Sequence, residues 1–266
     1  MEIKEYVKSR KEYLTNTINK LTSKPHLLII QVNNDEASNA YVKGKKKDLD
    51  LIGAKYTHLS LPLDTKEEDL LKLIEENNLN SEIDGILVQM PLPRHINEAK
   101  VKEAVAPIKD VDGFHPLSKC IPCTPKGIID YLKNEQIEFT GKNAVVIGRS
   151  NIVGKPVAKL LLDLNCNVTI LHSRTTKTDM DFYLAHADIV VVAVGKKYFL
   201  SEQPLKDSAV IVDVGINRVD GKLYGDCAPN LNVRLQTPVP GGIGLLTRLA
   251  MLENLLVCYN NRRGNK

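Results

Sequence analysis

Residues 26–62 read HLLIIQVNNDEASNAYVKGKKKDLDLIGAKYTHLSLP. The run His26–Val32 is short, apolar and rich in branched residues, which marks a buried strand. Residues 35–54 then take up a helical period, with Val42, Leu49 and Ile52 on one side and Tyr41 at its margin. Asp35 and Ser38 are candidate caps of the first turn, and Gly53 ends the helix. Lys55–Pro62 alternates as a second strand. Strand, helix and strand in this order predict a parallel pair joined by a right-handed crossover. Lys66–Asn77 adds a helix through Leu70, Leu71 and Ile74. Asp84–Met90 adds a third strand stopped by Pro91 and Pro93, and Asn97–Ala106 a further helix.

Within the first helix Lys43, Lys46, Lys47 and Asp50 lie on the polar side, but Lys45 lies in the apolar stripe, one turn after Tyr41. A lysine aimed into an apolar wall loses hydration, and the neighbouring lysines add like charge, so its neutral form is favoured. Such an amine can act as a base near neutral pH. The alternative is an amine that reaches the rim or meets a carboxylate.

The pattern restarts after Thr140-Gly141. Residues 122–136, PCTPKGIIDYLKNEQ, predict a helix capped by Thr124 with Pro125 at its first position, bridging two domains. Strands follow at Asn143–Ile147, Asn167–Leu171, Asp188–Val194 and Ala209–Val214, with a helix at Pro156–Leu164. The last two strands are near-continuous Val, Ile and Ala, as a sheet covered on both faces requires. Asp220-Gly221 signals a tight hairpin. A final amphipathic helix, Leu245 to about Tyr259, is expected to return to the first domain.

The strand Ala144–Ile147 runs into Gly148-Arg149-Ser150-Asn151-Ile152-Val153-Gly154-Lys155-Pro156. Glycine at the strand end lets the backbone approach a pyrophosphate, and the helix near Pro156 would present its free N–H groups to it. The spacing is neither the usual dinucleotide fingerprint nor a P-loop nor a nucleophile elbow. At the end of the next strand, where NAD sites place an acidic residue, stand His172, Ser173 and Arg174, with Arg149 in the first turn; hydroxyl plus guanidinium suits a 2′-phosphate and favours NADP, the alternative being that Arg174 is a solvated loop charge. Gly195 and Ile216 follow later strand ends, where a nicotinamide would lie.

Gln89 ends an apolar strand, and its amide could hydrogen-bond the Lys45 amine or a heterocycle, the alternative being a turn-closing glutamine. Asp112, in Asp110–Pro116, could clamp an amidine-like ring edge, the alternative being a plain Asp-Gly turn. His115 reads as structural. Thr237–Gly244, TPVPGGIG, is rigid and then open, suited to laying backbone amides, with Pro240, Gly241 and Gly242, against a flat ligand or to an interdomain hinge.

The chain has 266 residues, 43% hydrophobic and 26% charged, enough for two packed domains. A net charge of +4 with scattered lysines does not suggest nucleic acid as a partner. No run approaches the roughly 18 apolar residues of a membrane span, and the N-terminus lacks a signal-peptide core, so a cytoplasmic protein is expected. The five cysteines, including Cys120-x-x-Cys123, lack the second pair or histidine of a zinc set and are expected to be reduced thiols, with no metal site.

SNAYVKGK, DGILVQMPLP, KDVDGFHP, PCTPKG, VVIGRSNIVGKPVAKLL, HSRT, VDVGIN and TPVPGGIGLLT occur in that order. Together they resemble the bifunctional 5,10-methylenetetrahydrofolate dehydrogenase/5,10-methenyltetrahydrofolate cyclohydrolase (FolD) family over nearly the whole chain. The resemblance implies a two-domain α/β fold: a βαβ-type catalytic domain, 1–121, completed by the C-terminal helix 245–266, and a Rossmann-like doubly wound NADP-binding domain, 122–244, with a cleft between them. It implies a homodimer acting on tetrahydrofolate derivatives. The family's catalytic lysine, tyrosine, glutamine and pterin-holding aspartate fall on Lys45, Tyr41, Gln89 and Asp112. Val88, Met90, Pro240, Gly241 and Gly242 are implied at the substrate, and Gly148, Arg149, Ser150, Ser173, Arg174, Gly195 and Ile216 at NADP. Relatives that are dehydrogenase only or prefer NAD are the alternatives; a shikimate-type dehydrogenase or a nucleotide sensor would share the plan. The chain departs from the family in a shorter 115–123 segment, in GDCAPN after the hairpin, and in GLLT where GPMT is commoner.

Overall fold

The structure is a computed structural model describing residues 1–263. In chain order the elements are α1 (Ile3–Asn19), β1 (His26–Gln31), α2 (Glu36–Ile52), β2 (Lys55–Ser60), α3 (Glu67–Leu79), β3 (Gly85–Gln89) and α4 (Glu98–Ala104). Then come α5 (Cys123–Asn134), β4 (Asn143–Ile147), α6 (Gly154–Asp163), β5 (Asn167–Leu171), α7 (Lys177–Ala185), β6 (Ile189–Val192) and β7 (Val210–Asp213). The chain ends with β8 (Asn217–Val219), β9 (Lys222–Tyr224), β10 (Leu235–Gln236) and α8 (Ile243–Arg263). It divides into two compact units: 8–123 with the chain from Arg248 onward, and Met1–Val7 with Thr124–Thr247. The divisions fall inside α1, α5 and α8.

In the first unit a parallel sheet runs in the order β2-β1-β3, with Leu27 opposite Tyr56 on one side and Gly85 on the other. The branched run of β1 is buried because both its faces are covered: Leu27, Leu28, Ile29 and Ile30 are at most 1% exposed. Burial of that kind stabilises by about 1.5–3 kcal/mol per side chain. One face packs with Leu70, Ile74, Val101 and Val105 of α3 and its successors. α2 starts where Asp35 accepts the Ser38 N–H at 2.9 Å and stops at Gly53 in the left-handed region, φ 73°. Ser38 is therefore the residue whose N–H is capped, and Asp35 is the cap.

The C-terminal stretch of α8 belongs to this unit. Asn254 Nδ2 donates to the Val111 and Ile121 carbonyls, both at 2.9 Å. Farther along, Arg262 and Arg263 reach the fully buried Asp84 at 3.1 and 2.9 Å.

The second unit holds a parallel sheet in the order β10-β7-β6-β4-β5. The chain order reverses beside β4, which makes the sheet doubly wound and puts the switch point between the ends of β4 and β6. Val190–Val192 and Ile211–Val212 are at most 1% exposed, as near-continuous Val and Ile strands must be when helices cover both faces. β8 and β9 form the expected hairpin, with Asp220 and Gly221 both at positive φ. Three helix starts differ from the sequence reading: α8 begins at Ile243 where Leu245 is expected, and the other two are the helices placed by a proline. α5 begins at Cys123, so Thr124 lies within it and its hydroxyl meets Thr247 Oγ1 at 2.8 Å instead of capping. α6 begins at Gly154, because prolines are accommodated throughout a first turn and Pro156 does not mark its start.

Candidate active site

Gln89 and α2 face each other in the first unit. The parallel register sets the end of β3 beside the end of β1, and the pleat turns Val88 into the core while Gln89 points the other way. Lys45 Nζ donates to Gln89 Oε1 at 2.9 Å, and Gln89 Nε2 donates to the Met90 carbonyl at 2.7 Å. The amide has one stable orientation, since turning it over would oppose two donors and two carbonyls. Lys45 is 6% exposed and its Nζ lies 5.4 Å over the Tyr41 ring. Burial pushes the amine below the ordinary lysine value. The Asp112 carboxylate opposes that shift, and Arg248 adds to it. The like charge beside Lys45 thus comes from Arg248, and Lys43 and Lys47 turn outward on the exposed side of the helix.

The Asp-Gly turn is closed by a different carboxylate. Asp110, 4% exposed, accepts the Gly113 N–H at 3.0 Å and the His115 N–H at 2.8 Å. Asp112 is left free of the turn, partly buried, with Cys123 Sγ 3.9 Å from its Oδ1. Burial raises its carboxyl to about 6; Lys45 pulls it down and Asp110 pushes it up. His115 Nδ1 accepts the Leu117 N–H at 3.0 Å and so serves its own loop. Val88 lies in the core cluster with Met90 packed against it, and both also line a narrow recess with Asp112 and Phe114.

In the second unit the dinucleotide candidates gather at the carboxyl ends of the strands. Gly148 follows β4 with φ 121°, and an added Cβ would sit 2.3 Å from the Ala193 carbonyl, so no side chain fits there. Ser150 Oγ accepts the Val153 and Gly154 N–H groups at 3.2 Å, which takes two of the α6 donors the sequence reading had left free for an anion. Arg149, Ser173 and Arg174 are exposed at the ends of β4 and β5, and Ile216 is 58% exposed after β7. The Gly195 N–H is held by Asp226 Oδ2 at 2.9 Å. A bare backbone at the switch point, flanked by two exposed guanidinium groups and a hydroxyl, fits a phosphorylated dinucleotide. Pro240 and Gly241 line a separate cavity of about 440 Å³ with Met1, Tyr131 and Pro238, and Gly242 is pressed against the Pro238 carbonyl.

Residues 1–112 match the model for the tetrahydrofolate dehydrogenase/cyclohydrolase catalytic domain. Residues 122–263 match its NAD(P)-binding domain. The chain belongs to the tetrahydrofolate dehydrogenase/cyclohydrolase family. The bifunctional protein FolD of Staphylococcus haemolyticus is 48% identical, over 90% of this chain and 88% of the relative. The FolD structure from Campylobacter jejuni aligns with TM-score 0.88 at 36% identity, over 97% and 95% of the chains. The Trypanosoma brucei enzyme, solved with NADP cofactor and inhibitor, aligns with TM-score 0.93 at 28% identity, over 98% and 97%.

Sequence reasoning missed several residues that build this FolD-family site. Asp226 is fully buried and accepts the N–H groups of Val194, Gly195 and Lys196 at 2.7–2.9 Å, which shapes the loop after β6. Asp213 does the same after β7, accepting from Gly215, Asp226 and Cys227. Both break apolar or glycine-rich runs at strand ends, which was the available signal. Arg248 carried no signal of its own, whereas Asp48, three residues after Lys45 and buried on the same side of α2, was a second charge beside the apolar stripe and an available signal.

Proposed function

We propose that the chain oxidises 5,10-methylenetetrahydrofolate with NADP⁺ and hydrolyses the resulting 5,10-methenyl cation to 10-formyltetrahydrofolate, using Lys45, Tyr41, Gln89 and Asp112. The observation that carries the reading is the buried Lys45 amine, fixed by Gln89 and opposed by the Asp112 carboxylate. NADP⁺ supplies the hydride acceptor, and Gly148, Arg149, Ser150, Ser173, Arg174, Gly195 and Ile216 would hold it. Hydride transfer then asks of the protein chiefly proximity and orientation.

For water addition to the methenyl carbon, a neutral Lys45 amine takes one proton of the water as the C–O bond forms and returns it to the ring nitrogen as the C–N bond breaks, and the remaining hydroxyl proton leaves to solvent as the formyl C=O forms. Gln89 Oε1 anchors Nζ throughout. Tyr41 orients the folate, and Asp112, ionised above about pH 6, accepts two N–H bonds from the pterin edge. Val88, Met90, Pro240, Gly241 and Gly242 complete the proposed substrate surface.

Residues 1–121 with 245–266 carry the folate chemistry in this proposal, and 122–244 the NADP chemistry. The grouping of 8–123 with the chain from Arg248 supports that assignment. The homodimer and cytoplasmic location implied by the resemblance belong to the same proposal; no helix among the described residues is long and apolar enough to cross a membrane. Mixing the purified protein with methylenetetrahydrofolate and NADP⁺ should give reduced-nicotinamide absorbance followed by loss of the methenyl chromophore, and NAD⁺ should serve less well. Absence of both signals would remove the reading.

A further inference from the structure

Arg248 stands against the catalytic helix without a place in the chemistry described so far. Its guanidinium lies on the α2 backbone at Gly44, where an added Cβ would be 1.9 Å from Nη1. Only a residue without a side chain lets the planar group settle one position from Lys45. The guanidinium forms an ion pair there with Asp48, whose Oδ2 lies 3.1 Å from Arg248 Nε without the alignment of a hydrogen bond. The other Asp48 oxygen accepts from Lys11 Nζ of α1 at 2.6 Å. Asp48 is 5% exposed, so its charge is settled by these two cations and little by solvent.

The spacing gives this arrangement its meaning. Asp48 follows Lys45 by three residues on the same helix, the separation at which side chains become neighbours. A carboxylate paired with the Lys45 amine would hold it protonated. We propose that Arg248 is a positioning residue for the hydrolytic step: with Lys11 it draws Asp48 away from Lys45, and it sets a second positive charge beside the amine. The inference rests on the reading of Lys45 as the group that handles the proton. The charged and titratable groups acting on the amine are Asp112, Cys123 and Arg248. Asp112 pulls toward the charged form. Burial keeps Cys123 a neutral thiol by raising it well above the ordinary value. Arg248 is the cation among them, and it opposes Asp112.

The test follows the Lys45 amine directly. Lysine labelled with ¹³C at Cε gives a titration curve for each amine, and the Lys45 signal is assigned by its loss in Lys45→Met. In Arg248→Gln the Lys45 midpoint should rise by about one unit, since a neighbouring unit charge moves a buried group by that order. The rising limb of methenyl hydrolysis against pH should move with it, while KM for the folate changes less than kcat. Arg248→Lys should keep both near wild type, as it preserves the charge. Where Arg248→Gln does not fold, Arg248→Met keeps the apolar stem of the side chain, removes only the charge and should likewise raise the Lys45 midpoint. An unmoved Lys45 midpoint in the folded variant overturns the inference. A moved midpoint with an unmoved hydrolysis profile leaves Arg248 acting on Lys45 as stated, and overturns the proton-handling role of Lys45 instead.

Discussion

Replacing Lys45 by Met should separate the two proposed chemistries. The side chain keeps its length and apolar stem and loses only the amine, so the α2 stripe of Val42, Leu49 and Ile52 stays packed. General acid–base participation is worth about 10²–10⁴ in rate, or roughly 3–5 kcal/mol of barrier. Hydrolysis of the methenyl compound should fall by that factor, with NADP⁺ affinity unchanged. Stability should move by less than about 1 kcal/mol at neutral pH. Removing a buried, partly compensated cation stabilises, and leaving the Gln89 carbonyl without its donor costs about 1–3 kcal/mol. The pH dependence is more telling than the size. Lys45 has a lowered value in the folded protein, so from that value up to the ordinary lysine range the unfolded chain binds more protons, and wild-type stability rises with pH. Lys45→Met should lose that rise. Asp112 works in the opposite sense. Its carboxyl is raised from 3.8 to about 6, so stability falls as pH climbs through that window. Without Lys45 the carboxyl moves higher still and the window widens upward. Urea denaturation across pH, together with the methenyl absorbance assay, measures both arms. A folded Lys45→Met that hydrolyses the methenyl compound within threefold of wild type would refute the role given to the amine.

Two further substitutions test the frame around the site. Gly148→Ala places a Cβ 2.3 Å from the Ala193 carbonyl at a φ that side chains rarely adopt, so NADP⁺ affinity by calorimetry should fall at least about tenfold, a loss of some 1.4 kcal/mol; unchanged affinity would show that the turn is not the cradle. Asp84→Asn should cost about 3 kcal/mol in urea unfolding, because it breaks a fully buried carboxylate away from Arg262, Arg263 and the His26 N–H, and a cost under about 1 kcal/mol would mean that these partners contribute little.

What could be read from residues alone was whatever a single element displays. The helix of Lys45 declared itself by period, by the Asp35 cap and by Gly53, and the anomaly of one lysine in an apolar stripe was visible without any partner. The strand ends at Gln89, Gly148 and Arg174 were legible for the same reason: a polar or glycine residue after a branched run marks the edge of a sheet. The two helix starts misplaced by a proline have a common cause. Proline suggests the first helical residue, yet the N–H groups of a whole first turn lack intrahelical acceptors, so Cys123 and Gly154 begin α5 and α6 and the prolines sit inside the first turn. The turn at Asp110–Gly113 shows the sharper limit. Two carboxylates two residues apart are equivalent on paper, and only the fold decides that Asp110 accepts the loop's N–H groups and so releases Asp112. The Lys11–Asp48–Arg248 cluster goes further, since its members come from α1, α2 and α8. Charge networks of that kind exist only as sums over distant segments. In the proposed mechanism that sum decides which carboxylate the Lys45 amine faces.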